Sequence, residues 1–369
     1  MVGTPYLYLE ENFPSLRSID SLFCYPHLKK MAAAVQSTPR PAHELVYEPD
    51  QLPKLRSNYG AYLNDANVGW MRETPISTPV DEMRRRFEDD GYVFVKNVMP
   101  REDVLDMRQA YFEFLAPTGI LKPGTSARDG IFDSREDPIA HNGVGGRDLP
   151  EDIERVNKLV EVHKHPFYLA FLEHPELRQF VREFMGWKND VLVKRTMIRH
   201  NVPHGLSTGC HYDRLFLRAG EAEFLTAWVP IGDVSATGGG LVYLEHSDDI
   251  GREMEAEFTK KNMDLPAEQR VSGFNMNMAR DGQLTHNIEE YTKDLETAQY
   301  SGRNTRRWLV GNYEAGDVVF HNPYLIHGAA KNEDPSGRIR LSTDLRFYEE
   351  GSQLDTRWMR AVWSPDDGL

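Results

Sequence analysis

"AEFLTAWVPIGDVSATGGGLVYLEHS", residues 222–247, sets two strand-like runs on either side of a glycine-rich turn. Both ends are short runs of aliphatic, aromatic and β-branched residues, and the middle is polar and closes on three glycines. Runs of this kind, bounded by Gly, Asp and Ser, carry the pattern of strands rather than of helices. Gly238, Gly239 and Gly240 lack the following Lys-Ser/Thr and helix that a phosphate-binding loop needs, so they read as a tight turn. The same pattern recurs on either side, in "DVLVKRTMIRHNV" (190–202), "RWLVGNY" (307–313), "GDVVFHNPYLIHGAA" (316–330) and "RIRLSTDLRFYE" (338–349). Several short strands separated by turn signals predict a barrel or sandwich for the second half of the chain.

The first half reads differently. In "STPVDEMRRRFEDDGYVFVKNVMPREDVLDMRQAYFEFL" (77–115), Thr78 or Asp81 starts a helix, Gly91 ends it, and 92–98 form a strand. Pro100 then opens a second helix with Val104, Met107, Tyr111 and Leu115 on one face. Two more helical stretches are expected at about 150–163 and 166–187. The organisation expected is an irregular arm over 1–75, one domain over 76–350 and a tail over 351–369. Within the domain, 116–150 is rich in Gly, Pro, Asp and Ser and reads as a lid loop, and 250–306 reads as an insertion that caps the substrate side or forms an oligomer contact.

Composition narrows the function. The 369 residues include 43 Lys and Arg against 57 Asp and Glu, a formal charge of −14. Such a surface repels phosphate backbones and anionic membranes, so neither nucleic acid nor membrane is an expected partner. Two cysteines cannot build a disulfide framework or a thiolate zinc site, which suggests a reducing compartment. No secretory leader, long apolar run or simple peroxisomal tripeptide stands out, so a cytoplasmic protein is expected, with a small-molecule substrate and a homodimer as its assembly.

Chemistry concentrates in "TGCHYDRLF" (208–216). In extended chain, residues i and i+2 share a face, so His211 and Asp213 can reach one ion. Two imidazoles and one carboxylate, with open positions opposite, make the iron site of mononuclear oxygenases. His327, at the end of a strand in "HNPYLIHGAAKN", is the candidate third ligand. Further on, Arg338, Arg340 and Ser342 alternate onto one face. A buried arginine can grip the far carboxylate of 2-oxoglutarate through two parallel hydrogen bonds, and a hydroxyl can add another. His321, six residues before His327, reads as a strand-end hydrogen bonder, and Cys210 as packing.

Taken in order over roughly 77–348, "FEDDGYVFVKNVM", "HYD", "TAWVPIGDVSATGGGLVYLEHSD", "GDVVFHNPYLIHGAAKN" and "RIRLSTDLRF" resemble the phytanoyl-CoA dioxygenase-like branch of the Fe(II)/2-oxoglutarate oxygenases. The resemblance implies a mainly β, α+β fold with a double-stranded β-helix (jelly-roll, cupin-like) core and N-terminal helices packed on one sheet. It implies Fe(II), 2-oxoglutarate and O2 as cofactor and co-substrates, His211, Asp213 and His327 as catalytic metal ligands, and Arg340 and Ser342 as co-substrate anchors. Trp228 and Met197 match positions that line the co-substrate pocket in relatives, and Thr208 matches a polar contact three residues before the metal histidine.

The family's arginine spacing selects Arg338, whereas the local Arg-x-Ser motif selects Arg340, which strand register favours. "EHSD" stands where relatives end in Gly-Ser-His, bringing His246 and Asp248 near the mouth. Related halogenases put a small residue at the carboxylate position; Asp213 there implies oxygenation. The function expected is oxidation of an unactivated C–H bond of a small metabolite by hydroxylation, desaturation or cyclisation, in specialised metabolism. The alternatives are an acyl-CoA 2-hydroxylase, a non-catalytic metal- or ligand-binding jelly roll, and a zinc hydrolase, which would not need the arginine strand.

Overall fold

The computed structural model describes residues 51–144, 150–265, 283–297 and 306–359. Most of the expected arm (1–50), the end of the tail, and parts of the loop and insertion lie outside the described residues. Helix α1 (Val80–Asp90) ends on Gly91, whose φ of 76° is the left-handed turn a glycine takes without strain. Strand β3 (Tyr92–Lys96) follows, and α2 (Arg101–Leu115) starts directly after Pro100. Helices α3 (Ile153–Val162), α4 (Pro166–Leu172) and α5 (Pro175–Met185) come next. The single helix expected over 166–187 is therefore two. Pro175 cannot continue a helix from upstream but is pre-set to open one.

Strands then fill the chain as expected. They are β4 (Asp190–Leu192), β5 (Met197–Asn201), β6 (Leu225–Pro230), β7 (Leu241–Leu244), β8 (Trp308–Val310), β9 (Val318–His321), β10 (His327–Ala329) and β11 (Arg340–Glu349). Two short strands, β1 (Val68–Trp70) and β2 (Glu73–Pro75), come from the end of the expected arm. They pair in parallel with β8 and β3, so the irregular segment stops short of 75. One sheet runs β1-β8-β7-β10, and the other β2-β3-β9-β6-β11-β4, with β5 also on β11. The chain alternates between them (β6 large, β7 and β8 small, β9 large, β10 small, β11 large), which is the double-stranded β-helix.

Strand alternation separates two faces of the large sheet. Leu225, Ala227, Val229, Val318, Phe320, Leu341, Leu345 and Phe347 pack against Met83 of α1, Val104, Met107 and Tyr111 of α2, and Phe180 and Phe184 of α5. The opposite face, with Phe94, Trp228 and Val319, meets Leu241, Tyr243, Leu309 and Ala329 of the small sheet. The outer face of the small sheet is covered in turn by α6 (Asp248–Asn262) and α7 (Ile288–Thr297), through Ile250, Phe258, Ile288 and Tyr291. The described part of the insertion thus backs the small sheet instead of capping the substrate side. That outer layer also takes in Leu55 and Leu63 from the segment before β1 and Tyr212 and Leu215 from the turn after His211.

Two buried histidines tie helices to β5. His163 donates from Nδ1 to the Leu159 carbonyl at 2.6 Å and accepts the Ile198 N–H at Nε2. His200 accepts the Tyr111 hydroxyl at Nδ1 (2.6 Å) and donates from Nε2 to the His141 carbonyl (2.8 Å). Both rings are needed neutral, and burial pulls both down to about 4. Below the ordinary imidazole range the unfolded chain takes up protons that these rings refuse, so stability falls as pH drops from about 6.5 toward 4. By pH 5 the loss is expected to be about 2 kcal/mol per histidine. His200→Gln keeps a donor for the His141 carbonyl and should flatten the slope of urea midpoint against pH between 6.5 and 5. An unchanged slope in the variant would contradict the assignment.

Candidate metal centre

Residues 210 and 211 add a rung to the edge of the small sheet. His211 and His327 face each other across an antiparallel bridge, each N–H donating to the other's carbonyl at 2.9 Å. Their rings lie side by side, with centroids 4.4 Å apart. Alternation then sends Tyr212 outward, where its hydroxyl donates to Glu255 at 2.9 Å, and returns Asp213 to the interior at the start of a short 3-10 turn. Cys210 also packs away from the site, within the outer core of the small sheet.

The two imidazoles are oriented for metal binding. Nδ1 of His211 donates to the Gly209 carbonyl and Nδ1 of His327 to the Leu325 carbonyl, each at 2.9 Å. A neutral ring with its proton on Nδ1 leaves the Nε2 lone pair free. Burial lowers the basicity of His211, and burial together with the neighbouring His211 and His321 holds His327 well below the ordinary imidazole range. One donor atom each from His211, Asp213 and His327 lies within 4.8 Å of the others, and all three residues are buried. Two open imidazole nitrogens and one carboxylate suit a divalent transition metal such as Fe(II).

Asp213 is the centre of a row of side chains. His321, Thr226 and Arg346 are register partners on adjacent strands β9, β6 and β11. Thr226 Oγ1 donates to Asp213 Oδ2 at 2.6 Å, His321 Nε2 approaches the same oxygen at 3.2 Å, and Arg346 Nη2 donates to Oδ1 at 2.8 Å. Burial works against a charge there, yet Arg346 and His321 hold the carboxyl well below the usual carboxylate range. The three donors aim Asp213 and favour its ionised form.

The next rows lead away from it. Trp228 and Met197 both pair with Asp344, one from β6 and one from β5. Trp228 stands edge-on to Tyr313 at 4.7 Å between the sheets. Arg199 joins Asp344 (3.2 Å) to the Thr208 hydroxyl (2.9 Å). Beyond these, Arg340 donates from Nε to the Gly239 carbonyl (2.9 Å) and from Nη1 to Ser342 Oγ (2.7 Å), with burial drawing it down to about 10. Gly239 takes φ +80°, and a Cβ there would sit 2.8 Å from Asn332 Cβ, so a glycine is required where this arginine lands. Gly239 lies four residues from Tyr243, the partner of His327, about 13 Å of extended chain.

All of the expected site residues therefore lie on or beside the inner faces. Arg340 is enclosed there, whereas Arg338 precedes β11, bridges Ile131 and stands 3.9 Å from Asp233. His246 is outside the site: it is exposed, and its Nδ1 meets the Asp89 carbonyl. His321 does more than the strand-end bond expected of it, since it contacts Asp213 directly. Thr226, Asp344 and Arg346 join the site without a motif of their own to mark them in the sequence. The period-2 alternation that links Arg340 to Ser342 extends to Asp344 and Arg346, and Thr226 lies two before Trp228.

Comparison with known proteins places the chain among relatives. The phytanoyl-CoA dioxygenase (PhyH) family profile matches residues 87–340. A probable phytanoyl-CoA dioxygenase from Caenorhabditis elegans is 22% identical over 281 residues, which cover 74% of this chain and 77% of the relative. A 1-deoxypentalenic acid 11-beta-hydroxylase from Streptomyces arenae is 21% identical over 311 residues, covering 80% and 92%. Among solved structures, the non-heme alpha ketoglutarate dependent carbocyclase SnoK from nogalamycin biosynthesis aligns at 20% identity with a TM-score of 0.45, covering 78% of this chain and 88% of SnoK.

The row around Asp213 yields a prediction about metal affinity. Thr226→Val removes the shortest hydrogen bond to the carboxylate while keeping the side-chain shape. It should weaken Mn(II) or Fe(II) binding about tenfold, as loss of an outer partner of a ligand does. Anaerobic titration of the purified variant measures this, and an unchanged affinity would remove Thr226 from the site.

Proposed function

The chain belongs to the phytanoyl-CoA dioxygenase family of Fe(II)- and 2-oxoglutarate-dependent oxygenases, and on that premise we propose that it oxidises an unactivated C–H bond of a small organic metabolite. The enzyme class is that of the family: a non-haem iron oxygenase using 2-oxoglutarate and O2. The closure of His211, Asp213 and His327 into one buried donor set with both Nε2 atoms open carries the assignment of the ligands. When bound, the iron with 2-oxoglutarate and O2 supplies the oxidant for C–H cleavage.

The chain's own residues bind and orient. His211, Asp213 and His327 would hold one face of the ion. Arg340, with Ser342 fixing its rotamer, would take the far carboxylate of 2-oxoglutarate as a charge-assisted pair. Trp228 and Met197 would wall the co-substrate, and Thr208, held by Arg199, would offer a polar contact. Interior position excludes water from the reacting atoms. A carboxylate at 213 leaves no vacancy for halide, which supports oxygenation over halogenation. The loop at 116–150 and the segment after Asp213 would shape the pocket; Phe216 already stands edge-on to the His211 ring at 5.5 Å.

The names of the relatives favour a second reading, hydroxylation of an acyl-CoA. CoA recognition needs cations for its phosphates, and the cluster at 84–86 is committed elsewhere. Arg84 pairs with Asp81, Arg85 with Glu82 and Asp89, and Arg86 with Glu82. A small free metabolite of specialised metabolism is therefore the preferred substrate class.

Succinate release from 2-oxoglutarate under O2, screened with free acids, terpenoid and polyketide intermediates and acyl-CoAs, tests this reading. Asp213→Ala should abolish release. Arg340→Gln should raise the concentration of 2-oxoglutarate needed for half-maximal rate at least about tenfold, from loss of a charge-assisted bond. Undiminished turnover in Asp213→Ala would overturn the ligand assignment.

A further inference from the structure

Resting on the metal-site reading above, we infer that the substrate carries an anionic group, a carboxylate, that binds Arg346 beside the metal. The inward-facing residues of β5 and β11 give three buried or largely buried guanidinium groups, Arg199, Arg340 and Arg346, against Asp344 and the neighbouring Asp213. Arg199 is matched by Asp344. A divalent ion and a 2-oxoglutarate dianion add equal and opposite charge, so loading the site leaves the excess of one positive charge in place. The excess falls on Arg346: Asp213 must now serve the ion, and Arg340 is answered by the co-substrate.

Geometry agrees with the charge count. Arg346 is only 3% exposed, and its Nε and Nη1 have no hydrogen-bond partner among the described residues. Only Nη2 is used, on Asp213 Oδ1. A buried guanidinium with unanswered N–H groups is costly unless an acceptor arrives. Asp344 adds attraction from farther along β11, but among the described residues only Asp213 is hydrogen-bonded to this guanidinium. The 3-10 turn Thr356–Met359 brings the Trp358 ring to 5.7 Å from the Arg346 guanidinium, and Arg195 lies 5.9 Å from the same ring. These add positive potential and an apolar wall, which favour an anion attached to a hydrocarbon body.

Arg346 is thus a specificity residue set directly against a metal ligand. The bound acid would be held with its carbon skeleton beside the ion. A thioester, which is neutral at that end, would leave the guanidinium unanswered. The inference therefore separates a free acid from an acyl-CoA within the proposed function.

The test uses the full chain loaded anaerobically with Mn(II) and saturating 2-oxoglutarate. Straight-chain and cyclic monocarboxylates are titrated against their primary amides, with thermal shift and the Mn(II) electron paramagnetic resonance spectrum as readouts. Acids are expected to raise the melting temperature and perturb the spectrum where the matching amides do not. Arg346→Gln should lower acid affinity about tenfold or more, the worth of a charge-assisted hydrogen bond, and erase the preference over amides; Arg346→Lys should restore part of it. Mn(II) titration of each variant reads separately any loosening of Asp213. Acids that bind no better than amides to the unaltered protein, or a preference that survives Arg346→Gln, would overturn the inference. Failure of the unaltered protein to bind Mn(II) and 2-oxoglutarate would instead overturn the metal-site reading.

Discussion

Everything in the site depends on keeping one ionised carboxylate inside the protein. An unpaired carboxylate in such surroundings would take up a proton and cease to be a useful ligand. Asp213 avoids this because three neighbouring strands each place one donor against it: His321 from β9, Thr226 from β6 and Arg346 from β11. The three residues are cross-strand partners in a single row, so the register of the large sheet is also the geometry of the carboxylate. A slip of one residue in β11 would turn Arg346 out toward the helices and bring Leu345 or Phe347 in.

The remaining architecture secures that register. The helix-facing side of the large sheet is a continuous apolar layer against α1, α2, α4 and α5, while its inner side can then carry charge. His163 and His200 add fixed points between helices and β5, and each is satisfied only as a neutral ring. The small sheet brings in the histidines from the other side, with α6 and α7 supporting its outer face. The two sheets thus contribute different chemistry to one interior. The large sheet supplies arginines, acids and the donors that hold Asp213; the small sheet and its added rung supply imidazoles whose Nδ1 atoms are tied to their own backbone.

Much of this is legible from local pattern. Alternation in "TAWVP" and "RIRLSTDLRF" identifies strands, and the two-residue spacing of His211 and Asp213 places both on one face. Strand register also favours Arg340 over Arg338 as the proposed anchor, and of the two Arg340 is the one enclosed between the sheets. Other features escape because their signal is not local. His321 looks like any strand-end histidine until β9 is laid against β6. Thr226 is an ordinary strand threonine until its register with Arg346 is known. The break at Pro175 was readable in principle, since proline stops a helix arriving from upstream. The pairing of 68–75 with β8 and β3 was not, because three-residue strands owe their structure to partners more than two hundred and about twenty positions away.

Local pattern specifies the strand-rich second half, most helices of the first half and the trio His211, Asp213 and His327. Each of these is written in period, spacing and residue type. Folding in three dimensions settled what surrounds the trio: which donors reach Asp213 and which buried guanidinium keeps unused N–H groups, whereas the open imidazole nitrogens follow from carbonyls two residues away. The physical reason is that hydrogen bonding and desolvation act on neighbours in space. In this β-helix His321 and Arg346 reach Asp213 from 108 and 133 residues away, while Thr226 lies only 13 along the chain.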